Sequence, residues 1–205
     1  MKHVKLGVCL IAGLACGRSD RDAESQLSGK PTVSAQAAGV RVDSAIPIEE
    51  ALRQFRHGLQ PPSALSGGSS SREKLVRSFV RALERRDTAA LGRMALGIEE
   101  FAWFYYPSSP LSRRPYELAP GLLWFQLQGE SNRGASLLLA ERAGRPLGYL
   151  GHTCGEPRVE GENRLHPYCG IRRVTEAGDT VTERLFGLII EREQQYKFVS
   201  YANKL

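Results

Sequence analysis

Four residues in the C-terminal third of the chain, His152, Cys154, His166 and Cys169, could act together. The pairs His152-x-Cys154 and His166-x-x-Cys169 offer two imidazoles and two sulphurs. Such a set can hold zinc in a closed, four-ligand structural site, although this spacing is not that of a recognised zinc motif. The same two cysteines flank the loop 155–163 at facing ends of two expected strands, so they could instead bond to each other. A second group is aromatic: Phe101, Trp103, Phe104, Tyr105 and Tyr106, followed by Trp124 and Phe125. Trp103, Tyr105, Tyr106 and Trp124 are candidate pocket-lining residues, because Trp and Tyr give apolar walls with polar tips. The alternative is core packing at a helix end. Glu99, Glu100 and Glu117 lie near these aromatics, and His152, on an expected strand, is the residue named as a candidate base. Gly-rich phosphate loops, a serine nucleophile elbow and HExxH are all missing. The sequence therefore assigns no catalytic residue and no cofactor.

The start of the chain carries an address. Met1-Lys2-His3-Val4-Lys5 is a short basic segment, and Leu6 to Leu14 is almost wholly apolar. That run is too short to span a bilayer, which takes about 20 apolar residues. It has the length of the apolar centre of a secretory signal. Gly13-Leu14-Ala15-Cys16-Gly17 follows and resembles a bacterial lipobox, in which small residues precede a cysteine that is acylated and becomes the mature N-terminus. Ala15 and Gly17 fit that pattern, whereas Gly13 stands where Leu is usual. The resemblance implies lipidation of Cys16 and a membrane partner held through the lipid, with the protein on the periplasmic side of an envelope membrane. The rival is ordinary cleavage near Ala15. If Cys9 leaves with the signal and Cys16 is lipidated, Cys154 and Cys169 remain as a pair in an oxidising compartment. A disulfide is then expected ahead of a zinc site.

Without residues 1–15 the chain keeps 190 residues, enough for one domain with a core and a tail. The formal net charge of +6 becomes +4 once Lys2 and Lys5 leave. Arginines are spread along the chain among Glu and Asp, so there is no basic stripe, and no nucleic-acid partner is expected.

The elements that would position these residues read as an α+β domain. Residues 16–42 are small and polar and are expected to form a flexible, disordered tether. Within 43–60, Ile48, Leu52, Phe55 and Leu59 recur on one helical face, with Asp43 or Ser44 as cap. This predicts a short amphipathic helix set apart from the main domain by a linker at 61–70. From 71 to 205 the expectation is N-terminal helices packed on a curved antiparallel sheet of about four strands. A capping box at Ser70–Glu73 opens a helix over 71–86, and Asp87 caps a second running to about Tyr106. Further helices are predicted at 121–128 and 132–143. Strands are expected at 147–153, 164–175, 181–191 and 195–201, with turns at Ala177-Gly178-Asp179 and Glu193-Gln194.

Phe79-Val80-Arg81-Ala82-Leu83-Glu84-Arg85-Arg86-Asp87-Thr88-Ala89-Ala90-Leu91 resembles the opening of the NTF2-like superfamily, a cone-shaped α+β fold. The similarity covers roughly residues 70–205. That superfamily includes isomerases, dehydratases and binding modules, so fold alone carries little function. The expected role is an exported binding or accessory module, whose partner is an envelope protein or a small-molecule ligand. The alternative is an isomerase- or hydrolase-type enzyme with an aromatic-lined pocket.

Overall fold

The computed structural model describes residues 46–203. The expected signal, Cys16 and the tether lie outside them, as do the proposed caps Asp43 and Ser44. Five α-helices, α1 (Ile48–Arg56), α2 (Arg72–Glu84), α3 (Thr88–Met94), the single turn α4 (Ile98–Glu100) and α5 (Pro120–Glu141), are followed by seven strands. The strands are β1 (Tyr149–Thr153), β2 (Arg158–Glu160), β3 (Asn163–His166), β4 (Gly170–Val174), β5 (Thr180–Glu183), β6 (Ile189–Arg192) and β7 (Gln195–Phe198). They form two antiparallel sheets, ordered β1-β4-β5 and β2-β3-β6-β7, in place of one sheet of about four strands. No helix among the described residues is long and apolar enough to cross a membrane.

Local signals explain the helix starts. Ser71 caps α2 by accepting from the Lys74 N–H at 3.2 Å, one residue later than the expected box. Asp87 Oδ1 accepts from the Ala90 N–H at 2.8 Å and opens α3. Leu75, Val76, Phe79, Val80 and Leu83 are the buried stripe of α2. Phe79 alone meets Phe186, Phe198 and Tyr201 at centroid distances of 5.3, 5.5 and 5.8 Å. Burying such a side chain contributes about 1.5–3 kcal/mol.

Several boundaries differ from expectation, each for a tertiary reason. The second helix stops at Met94 instead of reaching Tyr106, because Leu96 turns its N–H to the Phe198 carbonyl at 2.8 Å and extends along β7. Helical winding resumes at Ile98 and widens to π over Phe101–Tyr105. The two helices expected at 121–128 and 132–143 are one, α5. Gly129 and Gly134 do not break it, since an isolated glycine weakens a helix only modestly. Gly134 also has a use. A Cβ there would lie 1.9 Å from the Tyr201 carbonyl oxygen, so its absence lets the C-terminal segment cross the helix.

The strand expected at 164–175 is two strands in different sheets, parted at Pro167 and at Tyr168, whose φ is 53°. That expected at 181–191 likewise splits between the sheets, with the buried Leu185 and Phe186 in the crossing. β2 was not foreseen. The turn residues behave as read: Gly178 has φ 89°, and Glu193 and Gln194 (φ 49° and 60°) close the β6–β7 hairpin.

The helix α1 is not set apart. Ile48, Leu52 and Phe55 pack on a second core cluster built around Phe101. Phe55 meets Phe101 edge-on at 5.8 Å, and Arg56 donates to the Ala102 carbonyl at 2.8 Å from Nη2.

Candidate functional site

The expected chemistry of the His/Cys set is resolved by a bond. Cys154 and Cys169 form a disulfide with S–S 2.03 Å. Cysteine binds zinc as the thiolate, and here the two sulphurs are bonded to each other, so the alternative four-ligand site of His152, Cys154, His166 and Cys169 does not assemble. The histidines serve elsewhere. His166 accepts from Arg72 Nη1 at Nδ1 (3.0 Å), since a guanidinium can only donate. Its Nε2–H then donates to Glu191 Oε2 at 2.8 Å. Burial pushes the Glu191 carboxyl up, but hydrogen bonds from His166 and Tyr196 outweigh it and hold that group below the ordinary carboxylate range.

His152 sits with Nδ1 3.1 Å from the Tyr149 hydroxyl and 3.2 Å from Glu73 Oε2, while Nε2 is buried without a partner among the described residues. Burial lowers its titration below the ordinary 6.5. Glu73 pulls it back up, and Arg72 and Arg77 lower it further. The unfolded chain therefore takes up a proton at higher pH than the folded one. The stability this contributes is full above about pH 6.5 and is lost as pH falls through the depressed folded value. Urea midpoints measured from about pH 7 down to pH 5 should fall more steeply for the parent chain than for His152→Gln; parallel curves would remove His152 as the cause.

The four aromatic candidates do not line one pocket; three of them gather around Phe101. Tyr105 and Tyr106 are buried in the cluster around Phe101, where Tyr106 donates to the Leu118 carbonyl at 2.7 Å. Burial pushes the Tyr105 phenol up to about 12. Trp103 lies under the Arg56 guanidinium, 4.9 Å from its centroid. Trp124 also meets Phe101, at 5.1 Å, and lines a cleft between α3 and α5 that the other three do not reach.

That cleft, of about 300 Å³, runs between α3 and α5 over a floor that includes Val199 and Tyr201. Its α5 wall has two rows at a spacing of four residues. Leu127, Ser131, Ala135 and Leu139 are half-buried, while in the second row Gln128 and Asn132 are exposed and Trp124 is half-buried against Phe101. On the α3 side, Gly92 leaves open space where a side chain would stand. None of the lining residues is a carboxylate, imidazole, ammonium or guanidinium. The Tyr201 phenol is committed to the Leu91 carbonyl at 2.7 Å, and burial raises its titration far above the ordinary range. Ser131 Oγ accepts from the Tyr201 N–H at 3.1 Å. The Gln128 and Asn132 amides are exposed and have no partner among the described residues.

A buried ion pair went unforeseen. Lys197 Nζ donates to Glu100 Oε2 at 2.7 Å, each side chain being 4% exposed. Glu100 also accepts from the Gly97 N–H (2.8 Å) and the Ser66 N–H (2.7 Å). One carboxylate thereby ties β7 to the start of α4 and to the segment after α1. Among the described residues, no group of three or more His, Cys, Asp or Glu could hold a metal ion. Comparison with protein-family models, with curated proteins and with solved structures gives no match to this chain.

Proposed function

We propose that this protein is an exported binding module, anchored to an envelope membrane through lipidated Cys16, that holds its ligand in the cleft between α3 and α5. The observation that carries the binding role is the lining of that cleft. It is an apolar slot with free amides at its mouth and no acid or base, which suits retention of a ligand and not proton transfer. The Cys154–Cys169 disulfide supports export. Pockets of the NTF2-like kind lie within a cone, whereas this slot is walled by helices, so the binding role does not depend on that resemblance.

The test uses the uncharged apolar dye N-phenyl-1-naphthylamine with the full chain carrying Cys16→Ser, so that no lipid competes for the dye. Saturable dye fluorescence is expected. Gly92→Phe, which places a ring in open space at the cleft, should weaken binding at least tenfold without lowering thermal stability. Unchanged dye binding in Gly92→Phe would dismiss the cleft as the site.

A further inference from the structure

We infer that the natural occupant of the α3–α5 cleft is an extended, uncharged peptide segment whose backbone is read by Gln128 and Asn132; this rests on the binding role proposed above. The two residues are one helical step of four apart, so their amides repeat about every 6 Å along α5. In an extended strand, residues i and i+2 present their N–H and C=O to the same edge, about 6.8 Å apart. Each primary amide carries both a donor and an acceptor. Gln128 and Asn132 can thus each pair with the N–H and C=O of one residue, in step with alternate residues of a strand. Both amides are unclaimed among the described residues, whereas the Ser131 hydroxyl and the Tyr201 phenol are already in use.

The inner row fits the side chains such a strand would turn inward. Leu127, Ala135 and Leu139 provide apolar contacts, and Trp124 closes one end by its contact with Phe101. From Trp124 to Leu139 the wall is about 22 Å long, the length of roughly six extended residues. A charged side chain entering the slot would meet no counter-charge from the lining, which disfavours acidic and basic segments. Recognition through main-chain hydrogen bonds, with pockets for alternate side chains, is an established way of holding an extended peptide.

The probe is the blocked hexapeptide acetyl-(Ser-Leu)3-amide, measured by displacement of N-phenyl-1-naphthylamine from the Cys16→Ser chain. Displacement is expected. The analogue with esters replacing the amides along one edge should bind at least tenfold more weakly. Gln128→Ala and Asn132→Ala should each lose roughly tenfold for the amide peptide, and the double variant should no longer distinguish amide from ester. Dye binding without peptide displacement, or equal affinity for amide and ester, would overturn the peptide while leaving the cleft as a small-molecule site. Failure of the dye as well as the peptide would remove the cleft itself.

Discussion

Lys197→Met is expected to cost about 3–5 kcal/mol of folding stability, because it strands the Glu100 carboxylate in the interior. Glu100 is 3% exposed and keeps the Gly97 and Ser66 N–H groups and a long contact to the Ser66 hydroxyl (3.4 Å), but no cation, when the ammonium is gone. Glu100→Gln should be similarly harmful, since it leaves the Lys197 ammonium buried without an anion. The double variant Glu100→Gln/Lys197→Met tells attraction from desolvation. It removes both charges while the glutamine oxygen can still accept a backbone N–H. Replacing both members of a buried pair is often near neutral, whereas removing one is not. Urea unfolding of the four proteins should therefore show the double variant well above either single one. If the two losses simply add, the pair is not coupled and its clamping role fails. The expected stakes are high because the contact joins three separate segments: Ser66 after α1, the turn at Gly97–Glu100, and β7.

The second large effect is expected at the disulfide. Cys154 follows β1 and Cys169 precedes β4, directly beyond the Thr153–Gly170 step of their ladder. Between them the chain leaves for the other sheet, forms the β2–β3 hairpin and returns. The bond closes that excursion, a sequence separation of 15 residues. Cross-linking a loop of this length restrains the unfolded chain by about 3 kcal/mol. The variant Cys154→Ser/Cys169→Ser should lose stability of that order in urea, with a slope changed by the looser unfolded state. A loss below about 1 kcal/mol would mean that the β1–β4 ladder alone holds the crossing. Mass spectrometry of the non-reduced protein reads the bond directly, and the same spectrum reports whether Cys16 is acylated.

These two features differ in how far sequence reaches them. The disulfide was legible because, with Cys9 and Cys16 set aside as parts of the expected export signal, two cysteines at the ends of expected strands leave little choice of partner. Glu100 and Lys197 lie almost a hundred residues apart, and neither has a local signature. One clue was present: alternation along the strand expected at 195–201 puts Lys197 on one face with Val199 and Tyr201, although β7 itself ends at Phe198. A lysine on an apolar face needs a buried counter-charge, but the pattern cannot say which acid supplies it.

What the sequence determined by itself is local. The stripe of α2, the cap at Asp87, the turn at Gly178 and the two-residue turn at Glu193-Gln194 each depend on groups within a few residues. Side-chain period and backbone preference reveal them directly. Tertiary structure alone decided where elements stop and what they face. The second helix ends because Phe198 offers a carbonyl to Leu96, the C-terminal segment crosses α5 at Gly134 because no side chain stands there, and two expected strands divide because their halves pair in different sheets. The aromatic run from Phe101 to Tyr106 followed the same rule. Its composition marked a site, but packing around Phe101 claimed Tyr105 and Tyr106 and left Trp124 on the cleft. Pairing across long separations depends on which distant surface is in reach, and no window of sequence contains that.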